Sequence, residues 1–238
     1  METKISLTKA DRGFSLLELL IAMTLTIVIM GLATTLLARS LNIRVKANAN
    51  ADALADAQRA LNIMSREIAN AGFNLTDNGI VAGDSVTDAN GNSTLRIRSN
   101  LNKFKASATT GARNGIGTVD EDAGEDVKYF IHQVAYTNLL ARDDAYAVAG
   151  SRLTVLANRL DSLHIHYYSQ KVTYSTAGCD IAGASVAEVS PSAAKYVVLA
   201  VCVQLDAVGA PGGPGYQPAT SVLLASDVAL RNSNLPVY

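Results

Sequence analysis

Residues 13–38, GFSLLELLIAMTLTIVIMGLATTLLA, hold one ionisable side chain, Glu18, and no proline. At about 1.5 Å per residue the run is long enough to cross a bilayer as a helix, which takes roughly 20 apolar residues. It begins abruptly at a Gly-Phe junction behind a polar leader, METKISLTKADRG, residues 1–13. An uncleaved signal anchor has no reason to carry a carboxylate at the fifth position after Gly13. A central Asp costs about 2.5–3.5 kcal/mol on insertion scales, and less near a helix end, so Glu18 reads as functional. A secretory signal peptide would want a shorter apolar core followed by a small-x-small site.

Gly13-Phe14-Ser15-Leu16-Leu17-Glu18-Leu19-Leu20 resembles the class III signal of type IV pilins and pseudopilins. In that family a membrane-embedded aspartyl peptidase cuts after the glycine and methylates the new N-terminus, usually Phe. The resemblance implies cleavage between Gly13 and Phe14, N-methylation of Phe14, and an assembly role for Glu18. The new α-amine of Phe14 would answer the Glu18 carboxylate. Within one helix the two lie about 6 Å apart along the axis, so the pair is open to an internal form. The resemblance implies instead that Glu18 meets the terminus of a neighbouring subunit. Leader residues Lys4, Lys9 and Arg12 favour a cytoplasmic start, but Arg39, Arg44 and Lys46 follow the span. Charge asymmetry therefore leaves orientation open. The motif decides it, because this peptidase works at the cytoplasmic face.

The chain has 238 residues, room for one ordinary domain beside the span. Its 20 Lys+Arg against 21 Asp+Glu give a net charge of −1. No global field draws it to nucleic acid, and no basic tract resembles a phosphate-binding arm. The two cysteines, Cys179 and Cys202, do not form a C-x-x-C. In a domain exported across the inner membrane such a pair is expected to form a disulfide.

From Arg39 to Ala71 the helix is expected to continue, with Leu54, Ala57, Leu61, Met64, Ile68 and Ala71 at spacings of 3 and 4. Asp52, Asp56, Arg59, Arg66 and Glu67 fall mostly off this stripe. Gly72 fits a C-terminal cap. A helix from Phe14 to Ala71 would be about 87 Å long. Fewer than four clean heptads follow the span, so packing on the chain's own sheet is expected rather than a coiled coil.

Residues 73–126 read as a loop region with Asn-, Gly- and Thr-rich runs and one short strand at Leu95–Arg98. Five acids fall between Asp120 and Asp126 (Asp120, Glu121, Asp122, Glu125, Asp126), without EF-hand spacing, and read as a solvated loop. The glycines of 111–117 lack a following Lys-Ser/Thr, so a phosphate-cradling loop is not supported. Residues 127–238 read as an antiparallel sheet. Strands are expected at Val127–Ala135, Arg152–Leu156, Leu160–Tyr168, Tyr196–Asp206 and Ser221–Leu230. The expected divisions are thus leader 1–13, transmembrane half-helix 14–38, amphipathic half-helix 39–72, loop region 73–126 and sheet 127–238.

Residues 63–73 (IMSREIANAGF), 156–167 (LANRLDSLHIHY) and 227–232 (DVALRN) are similar to PilW-like minor pilins. Many major pilins carry a proline in the second half of the span. This chain has none there, and holds Gly31, Thr34 and Thr35 instead.

His164 and His166 share one side of an expected strand, so two imidazoles could meet one metal. The sequence supplies no third ligand at a diagnostic spacing, and no metal site or cofactor is expected. His132 is isolated from this pair. No Gly-x-Ser-x-Gly elbow, His-Glu-x-x-His or paired-carboxylate signature occurs, so no catalytic residue and no enzyme is expected.

The expected fold is α+β and pilin-like: a long helix, its first half transmembrane and its second packed on an antiparallel sheet. By resemblance the function is that of a minor pilin that initiates type IV pilus assembly near the tip. Its implied partners are prepilin peptidase, other minor pilins, the major pilin, the inner-membrane assembly platform and a tip adhesin. The implied location is the inner membrane, single-pass with the head in the periplasm, and then the fibre. Two rivals are a J-type minor pseudopilin of a type II secretion system and a non-polymerising, membrane-anchored periplasmic binding protein.

Overall fold

The structure, a computed structural model, describes residues 15–101, 122–135, 137–213 and 216–232. The leader, Gly13, Phe14, the glycines of 111–117, and Asp120 and Glu121 lie outside them. The chain divides at residues 45 and 46 into two compact units. One helix, α1 (Leu16–Ala69), contributes to both.

From Leu16 to Ala38, α1 has Glu18 as its one charged residue, and up to Val45 none of its side chains is buried. Gly31 leaves it unbroken, since the residues on either side remain helical.

From Lys46 onward the pattern narrows to one buried stripe: Ala53, Ala57, Ala60, Leu61, Met64 and Ile68. Leu54, placed on the stripe by its spacing, is only half-buried at its border. Three alanines on the stripe give that face little bulk.

Two antiparallel sheets meet this stripe. The first has the order β1 (Leu95–Arg98), β2 (Asp126–Val134), β3 (Thr137–Asp144), β4 (Leu153–Ala157). The second has β5 (Leu160–Tyr168), β8 (Tyr196–Leu205), β9 (Thr220–Ala229). A small hairpin, β6 (Ser175–Ala177) with β7 (Asp180–Ala182), completes the element order. One core unites the stripe with Leu95, Val127 and Leu140 of the first sheet and Leu163, Leu199 and Val201 of the second.

The period of 2 sorts the faces of the second sheet. Val197, Leu199, Val201 and Val203 of β8 join the main core. Tyr196 and Val198 point the other way and join Tyr168 and Val172 in a second cluster beneath Tyr174, Ile181 and Val186. β8 is therefore central and buried on both faces. The free edge of β5 is covered by the DANGNST loop, residues 88–94. Asn92 Oδ1 accepts from Leu163 N at 3.2 Å and Ser93 Oγ from Ile165 N at 3.1 Å. Ser93 N donates to Leu163 O at 2.7 Å. Capping an edge with side chains in this way blocks strand addition.

The second half of α1 is pinned at both ends. Asn50 exchanges hydrogen bonds with the backbone of Asp206, at 3.1 and 3.3 Å. At the other end Asn232 Nδ2 donates to Asn70 O and Ala71 O, and Arg231 N to Ala69 O. These satisfy carbonyls that a helix C-terminus leaves without partners. Gly72 follows with φ +74°, as its capping role requires.

Glu67 lies off the buried stripe, as expected, and accepts from the Tyr129 hydroxyl and from Arg142 Nε at 3.1 Å. Burial, reinforced by the Glu67 charge, pushes the Tyr129 phenol well above its ordinary pKa. Two expectations need correction. Glu125 and Asp126 are not solvated loop residues, at 0% and 3% exposure. Asp126 opens β2 and is held by Arg96 at 2.7 Å and Arg98 at 3.2 Å. The strands β3, β6 and β7 fall where no strand was expected.

Gly79 turns on φ +74° with a virtual Cβ only 2.1 Å from Gly72 N and 2.3 Å from Arg98 O. Backbone atoms cannot give way, so Gly79→Ala is expected to destabilise by about 3 kcal/mol or more. Gly83, with open space around it, serves as the control. Gly83→Ala should stay within about 0.5 kcal/mol of wild type in denaturant unfolding of the detergent-solubilised chain.

Candidate functional site

The start of α1 carries the motif that the sequence singles out. Glu18 lies in its first turn, exposed, and has no ion-pair partner among the described residues. The hydroxyls of the span behave differently. Thr24 Oγ donates to Ile21 O at 2.9 Å, Thr34 Oγ to Met30 O and Gly31 O at 3.0 Å, and Thr35 Oγ to Leu32 O at 2.8 Å. Thr26 donates to Ala22 O in the same way. Each threonine returns its donor to the helix, so it asks nothing of a lipid surrounding. Leu16, Leu17, Leu20, Ile27 and Met30 are all more than half exposed. The helix is thus dressed for hydrocarbon except at Glu18.

Residues 8–34 match the prokaryotic N-terminal methylation motif. That motif indicates a type IV pilin-like or pseudopilin precursor. It suggests a structural protein rather than an enzyme, and with the apolar helix it is consistent with membrane anchoring. No curated protein and no solved structure matches the chain. Gly13 and Phe14, where the resemblance places cleavage and methylation, fall inside the matched stretch but outside the described residues.

Of the other residues that the sequence singled out, His164, His166 and Cys202 lie on the second sheet, Cys179 in the β6–β7 turn and His132 on β2. Cys179, in the β6–β7 turn, is bonded to Cys202 of β8 with a Cα–Cα distance of 5.3 Å. The expected disulfide is present. Asp161 lies beside it, and these three residues converge as metal ligands would. With both sulfurs bonded to each other they are not thiolates, and the thiolate is the metal-binding form.

His164 and His166 share one face of β5. His166 sits between two carboxylates: Nε2 is 2.8 Å from Asp180 Oδ1 and Nδ1 is 2.6 Å from Glu188 Oε1. Burial disfavours its charge, but the bonds to Glu188 and Asp180 outweigh burial and raise its pKa above the ordinary value. Nearby, Asp227 of β9 accepts from the Tyr174 and Tyr196 hydroxyls. His132 is remote from the pair and packs edge-on to Phe130, with ring centroids 6.1 Å apart. No sequence spacing pointed to Asp180 or Glu188, which the chain beyond β5 brings back to His166, or to Asp227, which β9 places opposite Val198 of β8.

A cleft of about 350 Å³ beside β4 is lined by Asp56, Arg59, Ile63 and residues 154–158. It brings no nucleophile together with a base.

The disulfide spans 23 residues and anchors the β6–β7 hairpin to the sheet. Unfolded, non-reduced protein should therefore show no alkylatable thiol. Reduction should lower stability by about 3 kcal/mol, the loop-closure value for a ring of this size. Unfolding followed with and without reductant checks both expectations.

Proposed function

We propose that this chain is the precursor of a PilW-like minor pilin that primes type IV pilus assembly near the tip. The observation that carries the proposal is the methylation motif at residues 8–34, leading into a helix apolar on every side. Prepilin peptidase cuts between Gly13 and Phe14 and methylates Phe14. The product waits in the inner membrane as a single-pass protein with its head in the periplasm. The assembly platform then inserts it into the fibre beside other minor pilins and the major pilin, below a tip adhesin. The head contributes a surface, and no catalysis is assigned to it.

The same motif serves a J-type minor pseudopilin of a type II secretion system, which is the second reading. A non-polymerising binding protein would need neither processing nor Glu18. The mature N-terminus of protein recovered from sheared fibres separates a polymerising subunit from the binding protein, and the genomic neighbours, other minor pilins or a secretin-secretion operon, separate pilus from secretion system. Mass spectrometry is expected to find a chain starting at N-methylated Phe14. Intact Met1 in cells that process their other pilins would refute the proposal.

Glu18 supplies a second test. Glu18→Val makes the span more apolar, so the variant is expected to insert, fold and be cleaved as wild type. It should be lost from sheared fibres at least tenfold, and fibre number should fall if this subunit primes assembly. Normal incorporation of the variant would show that the carboxylate has no assembly role.

A further inference from the structure

The chain between β5 and β8, residues 169–195, runs over the outer face of the second sheet. Its Val172, Tyr174, Ile181 and Val186 pack on Tyr168, Tyr196 and Val198. Cys179 anchors this strap covalently to Cys202 of β8. Before the anchor, the Tyr174 hydroxyl donates to Asp227 of β9. At the far end Asn78 Nδ2 donates to Pro191 O at 2.8 Å and Ala194 O at 3.0 Å. Between these two fixed points lies a limb, residues 183–189. Val189 N donates to Tyr167 O at 2.9 Å, and Ser185 exchanges two hydrogen bonds with Thr173 at 2.9 and 3.0 Å.

One side chain of the sheet grips both the anchor and the limb. His166 Nε2 is 2.8 Å from Asp180 Oδ1, and Nδ1 is 2.6 Å from Glu188 Oε1. An ionised carboxylate only accepts, and a neutral imidazole has a single N–H. Both contacts are therefore hydrogen bonds only when the ring is an imidazolium. Once the ring is neutral, one nitrogen turns a lone pair toward a carboxylate oxygen, and that contact becomes repulsive. The two carboxylates are not equally free to leave. Asp180 adjoins the disulfide and accepts from Ile181 N at 2.7 Å. Glu188 is 53% exposed and has no second partner among the described residues.

We propose that His166 is a pH-sensitive clasp, holding the Glu188 limb on β5 while protonated and releasing it when neutral. Release lifts Val186 and bares Tyr168 and Val198, which are 1% and 0% exposed in the closed form. The ring is faced from β5 by His164, whose Nδ1 is 3.8 Å from Asp180 Oδ2, and by Tyr168. Burial, with the Glu188 and Asp180 charges, pushes the Tyr168 phenol up, so it stays protonated. From the strap come Asp180 and Glu188. β8 sets Val198 opposite His166, and Asp227 of β9 lies beyond it, taken up by the Tyr174 and Tyr196 hydroxyls. Burial disfavours the imidazolium, but Glu188 and Asp180 outweigh it and raise the His166 pKa above 6.5. The clasp thus contributes in full below about pH 6.5 and is lost as pH rises through the higher value of the closed form.

The test uses the full chain in detergent and reads backbone amide exchange by mass spectrometry, corrected for the pH dependence of unstructured amides. Between about pH 6 and about pH 9, peptides covering 183–189 are expected to lose protection. The loss should be about tenfold for each unit by which the closed-form pKa exceeds the open-form one. Strand β8 should keep its protection throughout, and His166→Gln should abolish the step. Imidazole nitrogen NMR of the wild-type chain reads the clasp without any variant. Both His166 nitrogens should be protonated at about pH 6, with a titration midpoint above the ordinary histidine value. Glu188→Gln should move that midpoint to lower pH. No step in the wild-type chain, a step that persists in His166→Gln, or a His166 midpoint at or below the ordinary value would overturn the proposal.

Discussion

The stripe Ala53–Ala57–Ala60–Leu61–Met64–Ile68 is the contact on which the head depends. Strands of both main sheets reach the same core through it. Burying an apolar stripe is worth about 25 cal/mol per Å² of surface removed from water. Small residues gain less by area than Leu or Ile, so Leu61, Met64 and Ile68 supply most of that term. A larger residue at Ala57 or Ala60, both at 0% exposure, would have to displace a strand. The same contact explains why the helix end is fastened by Asn50, Asn232 and Arg231, because the stripe works only at one axial position against the strands.

Beside the His166 cluster, two arginine-centred charge clusters tie elements of this head together, neither of them catalytic in arrangement. Arg142 lies between Glu67 and Asp144, with Tyr129 donating to Glu67. Arg96 lies between Asp84 and Asp126, with Arg98 on the same Asp126. A buried ion pair adds little net stability over an apolar pair of equal size, but removing one partner is costly because the other is left unanswered. Such pairs fix register more than they add strength. Glu67 on α1 therefore sets the rotation of the helix against β2 and β3, where a greasy stripe alone would tolerate small slips.

The stripe was legible in the sequence because spacings of 3 and 4 survive any tertiary context, and Ala57, Leu61, Met64 and Ile68 are all buried. Leu54 misled, since the packed face is centred one residue earlier, on Ala53. Strands β5, β8 and β9 were legible from their Val, Leu and Tyr content. β3 was not, for two reasons. Its sequence TNLLARDD is poor in strand formers, and its charged residues look solvent-directed until Glu67 and Arg152 are placed opposite them. The hairpin that introduces it turns at Ala135 with φ +53°, where Gly or Asn would have announced the turn. The strands β6 and β7 span only three residues each and are held by Cys179, His166 and Tyr174, so no periodicity could reveal them. The acids at 125 and 126 were misread because a local run of charge says nothing about the arginines that β1 brings beside it.

What separates Glu18 from every other polar group of the span is where its bonding capacity goes. The threonine hydroxyls are spent within the helix, on carbonyls three or four residues back. A carboxylate cannot do the same, since it only accepts and the helix interior offers no free donor. Its place in the first turn gives it the helix dipole, worth about 0.3–1 kcal/mol. A charge at the centre of a bilayer costs about 2.5–3.5 kcal/mol, and even a fraction of that near the helix end is comparable to the dipole term. The dipole therefore softens the cost without removing it. A positive charge within contact distance is the remaining remedy, and none of the described residues supplies one. If the chain is processed as proposed, the new α-amine of Phe14, in this chain or a neighbour, is the group that would complete Glu18. In the proposed fibre, a residue costly alone and satisfied in company would hold subunits in register, because every misplaced neighbour would leave a charge exposed to lipid.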